Sequence, residues 1–92
     1  MEFEWNPIKA AENLNKHGVS FDFAASALRD PLALEKIDDR EDYGEERTRL
    51  IGQAHGILLS VVFAERGQAY RIISARRATR HEQDEYYREN SP

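Results

Sequence analysis

Ile57-Leu58-Leu59-Ser60-Val61-Val62-Phe63-Ala64 is apolar on both faces, the mark of a central strand covered from both sides. Arg66-Gly67-Gln68 follows as a tight turn, and Tyr70 to Arg77 returns as a second strand. On the other side, Arg47 to Gly52 reads as a strand joined to the central one by a turn through Ala54-His55-Gly56. Turns this short predict an antiparallel meander. Leu32 to Ile37 adds a further strand, and Glu2 to Trp5 alternates enough for a short edge strand.

The flanks of this sheet read as helices. Asn6-Pro7 is a helix start with Asn6 as cap, and Gly18 stops that helix after His17. Its apolar stripe is thin (Pro7, Ala10, Ala11, Leu14), with Lys9, Asn13 and Lys16 sharing the opposite side. Ser20 caps a second helix whose Phe21, Ala24, Ala25 and Leu28 recur at helical spacing, with Asp30-Pro31 as its end. Thr79-x-x-Glu82 is a capping box that opens a last helix. Only Tyr86 and Tyr87 are large apolar bodies there, so it is expected to be held loosely, or by a partner. The fold class is α+β, a single domain over residues 1–92: two N-terminal helices packed on a twisted, mostly antiparallel sheet, plus a C-terminal helix.

Composition narrows the function. The chain has 92 residues, 40% hydrophobic and 33% charged, as an ordinary globular domain has. Its longest near-apolar run falls far short of the ~20 residues of a membrane span. The first residues, Met1 to Trp5, are acidic and contain no apolar signal core, so a cytoplasmic protein is expected. With no cysteine, disulfides, thiolate zinc sites and a cysteine nucleophile are excluded. Three histidines without paired spacing and an acidic loop without the calcium-loop pattern predict no metal site and no cofactor. Phosphate-binding glycine loops and a serine-hydrolase elbow are also missing.

The overall charge of −4 conceals two opposed segments. Residues 38 to 46 carry six carboxylates against Arg40, whereas Arg66 to His81 holds five arginines and no acid. An approaching phosphate feels that local field rather than the net charge. On plain alternation, Arg71, Ile73, Ala75 and Arg77 share one face of the last strand, and Tyr70, Ile72, Ser74 and Arg76 the other. Guanidinium forks suit phosphates, and a neighbouring tyrosine can stack on a base. The same arginines would equally serve a solvated sheet edge paired with the acidic loop. His17, beside Lys16 at a helix C-terminus, is a candidate acid or base, or else a complement to the helix dipole. His55, in a turn, and His81, in a first helical turn, read as carrying no chemistry.

Trp5-x-x-x-Lys9, Asn13-x-x-Lys16-His17-Gly18-Val19-x-Phe21, Glu46-Arg47, Gly52 and Arg71-Ile72-Ile73-Ser74-Ala75-Arg76, with Thr79 and Glu82 after it, together resemble the BrnT family of type II toxin–antitoxin toxins. Asn6 stands where that family is expected to have aspartate; either caps a helix. The resemblance implies a RelE-like fold and a metal-independent ribonuclease that blocks translation by cutting RNA. It also implies a BrnA-like ribbon-helix-helix antitoxin in a two-plus-two complex that represses its own operon by binding operator DNA.

Such cleavage needs a base for the 2′-hydroxyl, cations on the phosphate and an acid for the leaving oxygen. Here His17 or Glu46 is expected to handle protons, while Lys9, Lys16, Arg47, Arg66, Arg76 and Arg77 surround the phosphate. Arg71 and Arg80 are expected to hold RNA, and Tyr70 or Tyr86 to stack on a base. The last helix and the sheet beside it are the expected antitoxin surface. Two rivals are a module that docks an acidic protein and a DNA-binding regulator. The second would need a recognition helix, whereas the basic residues sit mainly on a strand and turn.

Overall fold

The side-chain oxygen of Asn6 accepts from the amides of Ile8 (2.9 Å) and Lys9 (3.1 Å), so α1 begins at Pro7 and spans Pro7–His17. Gly18, at φ 70°, closes it by donating its N–H to the Leu14 carbonyl. The computed structural model describes residues 2–91. In chain order its elements are β1 (Glu2–Glu4), α1, α2 (Phe21–Ala27), β2 (Leu34–Ile37), β3 (Thr48–Ala54), β4 (Ile57–Arg66), β5 (Ala69–Arg77) and α3 (Arg80–Glu89). The strands form a sheet in the order β1-β5-β4-β3-β2, antiparallel except where β1 lies parallel to β5. His55 (φ 49°) and Gly56 (φ 85°) make the two-residue turn between β3 and β4, the left-handed pair that matches strand twist.

α1 and α2 lie on one face of the sheet. Phe21, Ala24 and Ala27 pack there on Leu50, Leu59, Val61, Phe63, Ile72 and Ala75, all buried. The end of α2 comes so close to β3 that a Cβ on Gly52 would sit 2.5 Å from the Ala27 carbonyl oxygen. α2 stops at Ala27, short of Asp30-Pro31, because the chain tightens there: Arg29 N–H bonds Ser26 O and Asp30 N–H bonds Ala27 O. Asp30 then accepts from Leu32 N, Gln53 N and the Tyr86 hydroxyl, tying three segments together.

Three expectations are corrected. Of the expected stripe of α1 Ala10 packs on the core, but Pro7, Ala11 and Leu14 are exposed, and the buried residue of the helix is Asn13, which is 8% exposed. β1 pairs only with Ala69 to Arg71, leaving the upper edge of β5 free. There the Asn13 amide stands in for a missing strand, donating to Ala75 O (2.8 Å) and accepting from Ala75 N (3.1 Å). Secondly, α3 is not loosely held. Tyr86 is buried with Ile51, Leu58 and Ala78 on the opposite face of the sheet. Lys36–Glu85 and Asn90–Leu32 bonds pin the same helix.

Thirdly, plain alternation fails in β5. Val62 pairs with Ser74 but Phe63 pairs with Ile72, so Ile73 is an extra, bulged residue. Below it Tyr70 and Ile72 face the α1/α2 side; above it Ala75 and Arg77 do so instead of Ser74 and Arg76. Arg71, Ser74 and Arg76 consequently share the other face.

Candidate active site

That other face is covered by α3 only at one end, over Ile51 and Leu58. Beyond α3 it presents Arg49 of β3, Ser60 and Val62 of β4, and Ser74 and Arg76 of β5. These residues line a cavity of about 310 Å³ with Arg40 from the acidic loop and Lys16 and His17 from the end of α1. Lys16 and His17 reach it because Asn13 docks α1 along the free edge of β5.

Glu82, in the first turn of α3, organises the arginines. Arg76 grips it with both terminal nitrogens, at 2.8 and 3.1 Å. Arg49 donates to the same carboxylate at 3.4 Å and to Ser60 Oγ at 3.3 Å. The Thr79 amide also donates to Glu82, completing the capping box. Burial raises the pKa of Glu82, but the hydrogen bond and charge of Arg76 and the Thr79 bonds outweigh it and hold the carboxyl at about 2. Arg40 is fixed by a fork onto buried Asp38 (2.7 and 3.0 Å), and that bond, with the charge of Arg49, lowers the Asp38 pKa. Four cations therefore stand around the cavity with two carboxylates behind them, an excess of positive charge before His17 is considered.

A second cluster lies farther along the same face. Glu45 bonds Arg71 and approaches Arg47 Nε at 3.5 Å, and the Arg47 guanidinium lies 4.0 Å over the Tyr43 ring. Arg66 approaches Glu4 at 3.9 Å beside it. Lys9 lines a hollow of about 180 Å³ next to the main cavity, shared with Lys16, His17 and Ser74.

The remaining expected residues lie elsewhere. Arg77 points to the α1/α2 side, beside Leu14, Phe23 and Leu59, so the adjacent Arg76 and Arg77 serve opposite faces. Tyr70 is half buried against Phe3 and Phe63. Tyr86 is 4% exposed; burial and its bond to Asp30 push its phenol up to about 12, and it offers no face to a base. Arg80 is exposed and paired with Asp84 at 3.3 Å. Glu46 is exposed and makes no side-chain hydrogen bond among the described residues.

Arg40, Arg49, Ser60 and Glu82 were missed as site residues. Arg47 and Arg49 at i, i+2, and a lone serine inside an apolar central strand, were the available signals. Nothing local in sequence marks Glu82 as more than a cap.

The fold and site define a class of small α+β domain whose open sheet face carries an arginine-lined cavity of a chemistry suited to anions. Its family is specific. Residues 5–82 match the family model for "Ribonuclease toxin, BrnT, of type II toxin-antitoxin system", and the chain belongs to that family. No curated protein matches the chain closely enough to count as a relative. Membership places it among ribonuclease toxins, which act on RNA and are paired with an antitoxin. Among the described residues no helix is long and apolar enough to cross a membrane.

Proposed function

We propose that this chain acts as a single RelE-like domain that cleaves RNA without a metal and so inhibits translation. The observation that carries the reading is the convergence of Lys16, His17, Arg40, Arg49 and Arg76 on one cavity. The scissile phosphate sits between Arg49 and Arg76, whose planes Glu82 fixes from behind. The 2′-oxygen attacks phosphorus and its proton passes to His17. The bond to the 5′-oxygen then breaks, and that oxygen takes the proton back from His17. The products are a 2′,3′-cyclic phosphate and a 5′-hydroxyl. Lys16 and Arg40 offset the charge that builds on the phosphoryl oxygens.

The partner in this reading is a BrnA-like ribbon-helix-helix antitoxin in a two-plus-two complex, docked over α3 and the sheet beside it. It neutralises the toxin by covering the arginine face, and the complex represses the operon by binding operator DNA.

Total RNA incubated with the protein in EDTA, with and without translating ribosomes, tests the reading. Wild type is expected to cut. Arg76→Ala and His17→Ala are expected to lose about 10²-fold or more in rate, whereas Arg77→Ala, on the opposite face, keeps activity. Intact RNA with wild type under both conditions, or equal cutting by Arg76→Ala, would refute it.

A further inference from the structure

We infer that Arg47 and Arg71 form a second phosphate subsite, for the phosphodiester next to the one that is cut, which Glu45 fills when RNA is absent. The inference rests on the ribonuclease reading of the Arg49–Arg76 cavity.

Ala64 pairs with Arg71, and Arg47 directly precedes the Thr48–Phe63 pair at the end of the β3–β4 ladder. Two guanidinium groups therefore lie over the buried methyl of Ala64, with Glu45 above them on the open face. Among the described residues Glu45 is the one carboxylate between them, bonded to Arg71 and 3.5 Å from Arg47. Donors outnumber acceptors in this cluster. The Nε of Arg47 and of Arg71 are both buried with no hydrogen-bond partner among the described residues. A phosphodiester carries the same single charge as Glu45 and offers two free oxygens to the same fork geometry. The exchange therefore keeps the charge balance while matching the arginines at least as well.

The geometry also favours Glu45 as the group that leaves. Its side chain is the most exposed of the three, at 34% against 28% for Arg71 and 22% for Arg47. It belongs to the loop between β2 and β3, whereas Arg71 is on a strand and Arg47, at the end of that loop, lies 4.0 Å over the Tyr43 ring. Arg47, which immediately precedes β3, and Arg49 are two residues apart, about 6.8 Å in extended chain, close to the repeat of phosphates along an extended RNA chain. An RNA strand with its cut phosphate at Arg49 and Arg76 thus lays a neighbouring phosphate at Arg47 and Arg71, in the place of Glu45.

The test is equilibrium binding of a fluorescent 2′-O-methyl RNA oligonucleotide, which lacks the attacking hydroxyl and stays intact, measured across a salt series. Glu45→Gln, on an exposed loop, is expected to bind about threefold tighter or more at a given salt. Arg47→Gln and Arg71→Gln are each expected to reduce the slope of log affinity against log salt by about 0.7, the value of one phosphate contact on a single strand. Arg71→Lys keeps the charge and is expected to keep most of the slope. If wild type binds and Arg76→Ala weakens it, but Glu45→Gln binds no tighter, the subsite is wrong and the ribonuclease reading stands. If wild type does not bind this RNA at all, both fall. Should Arg47→Gln or Arg71→Gln fail to fold, Glu45→Gln decides alone.

Discussion

Replacing Asn13 by alanine removes one side chain that does the work of a missing strand. Its amide donates to Ala75 O (2.8 Å) and Val19 O (3.0 Å) and accepts from Ala75 N (3.1 Å), all in a buried setting. Each such bond contributes a net ~1 kcal/mol, and a buried N–H left without a partner costs ~1–3 kcal/mol. Partial entry of water offsets some of this, so Asn13→Ala is expected to lose about 2–4 kcal/mol of a stability on the order of 5–15 kcal/mol. At about 4–8 °C per kcal/mol for a domain of this size, Tm falls by roughly 8–32 °C. Thermal unfolding followed by circular dichroism reads this directly. Asn13→Asp sharpens the test, because a carboxylate still accepts from Ala75 N but directs negative charge at two carbonyl oxygens. Its folded pKa is then raised, so its penalty is full near neutral pH and shrinks as the pH falls. An Asn13→Ala variant melting within about 2 °C of wild type would refute the edge-strand role of this residue.

Gly52→Ala places a methyl group 2.5 Å from Ala27 O and 2.9 Å from Leu50 Cδ2, and is expected to cost about 1–3 kcal/mol in urea unfolding. An unchanged midpoint would mean that α2 does not approach β3 so closely. Tyr86→Phe deletes the 2.7 Å bond to Asp30 and is expected to cost about 1.5–3 kcal/mol. In wild type the Tyr86 phenol, raised from 10 to about 12, contributes stability that is full below pH 10 and lost as the pH climbs through about 12, and the Phe variant should lack that alkaline loss. Glu82, lowered from 4.5 to about 2, contributes stability that is full above 4.5 and lost as the pH falls toward about 2. Glu82→Gln keeps the helix cap but not the charge, so it should flatten that acid limb by at most ~3 kcal/mol, compared by urea unfolding at about pH 7 and about pH 3. Parallel limbs would show that Arg76 gains nothing from the charge of Glu82.

The order of elements and the hairpins were legible because their signals are local. Asn6-Pro7, Gly18, Ser20 and the Thr79-x-x-Glu82 box act through the backbone within a turn, and all of them bound helices as read. What escaped was everything that depends on a distant partner. Asn13 looks solvent-facing on a helical wheel, and only the short reach of β1 makes it a core residue. α3 looks weak because its anchors, Asp30, Lys36, Arg49 and Arg76, lie 6 to 56 residues away in sequence. In the candidate site, Lys16, His17 and Arg76 were singled out from residue type and resemblance, and the structure brings them to one cavity. Arg49 and Ser60 needed the strand pairing before they could be seen to join them. The grouping of Arg71 with Arg77 followed from a uniform two-residue period that β5 does not keep.

Ile73 can be regarded as a parity change in the chain. In a flat strand, residues an odd number apart emerge on opposite sides, so two arginines at 71 and 76 would be divided between solvent and the helix layer. One inserted residue reverses the count beyond it and brings both to the same surface without altering either side chain. Removing Ile73 would therefore leave every arginine in the chain yet turn one of the two away from its fellow. For any strand of this kind, like residues at odd spacing on one surface point to a hidden insertion between them. The spacing inside Arg71-Ile72-Ile73-Ser74-Ala75-Arg76 thus reports backbone geometry as much as chemistry.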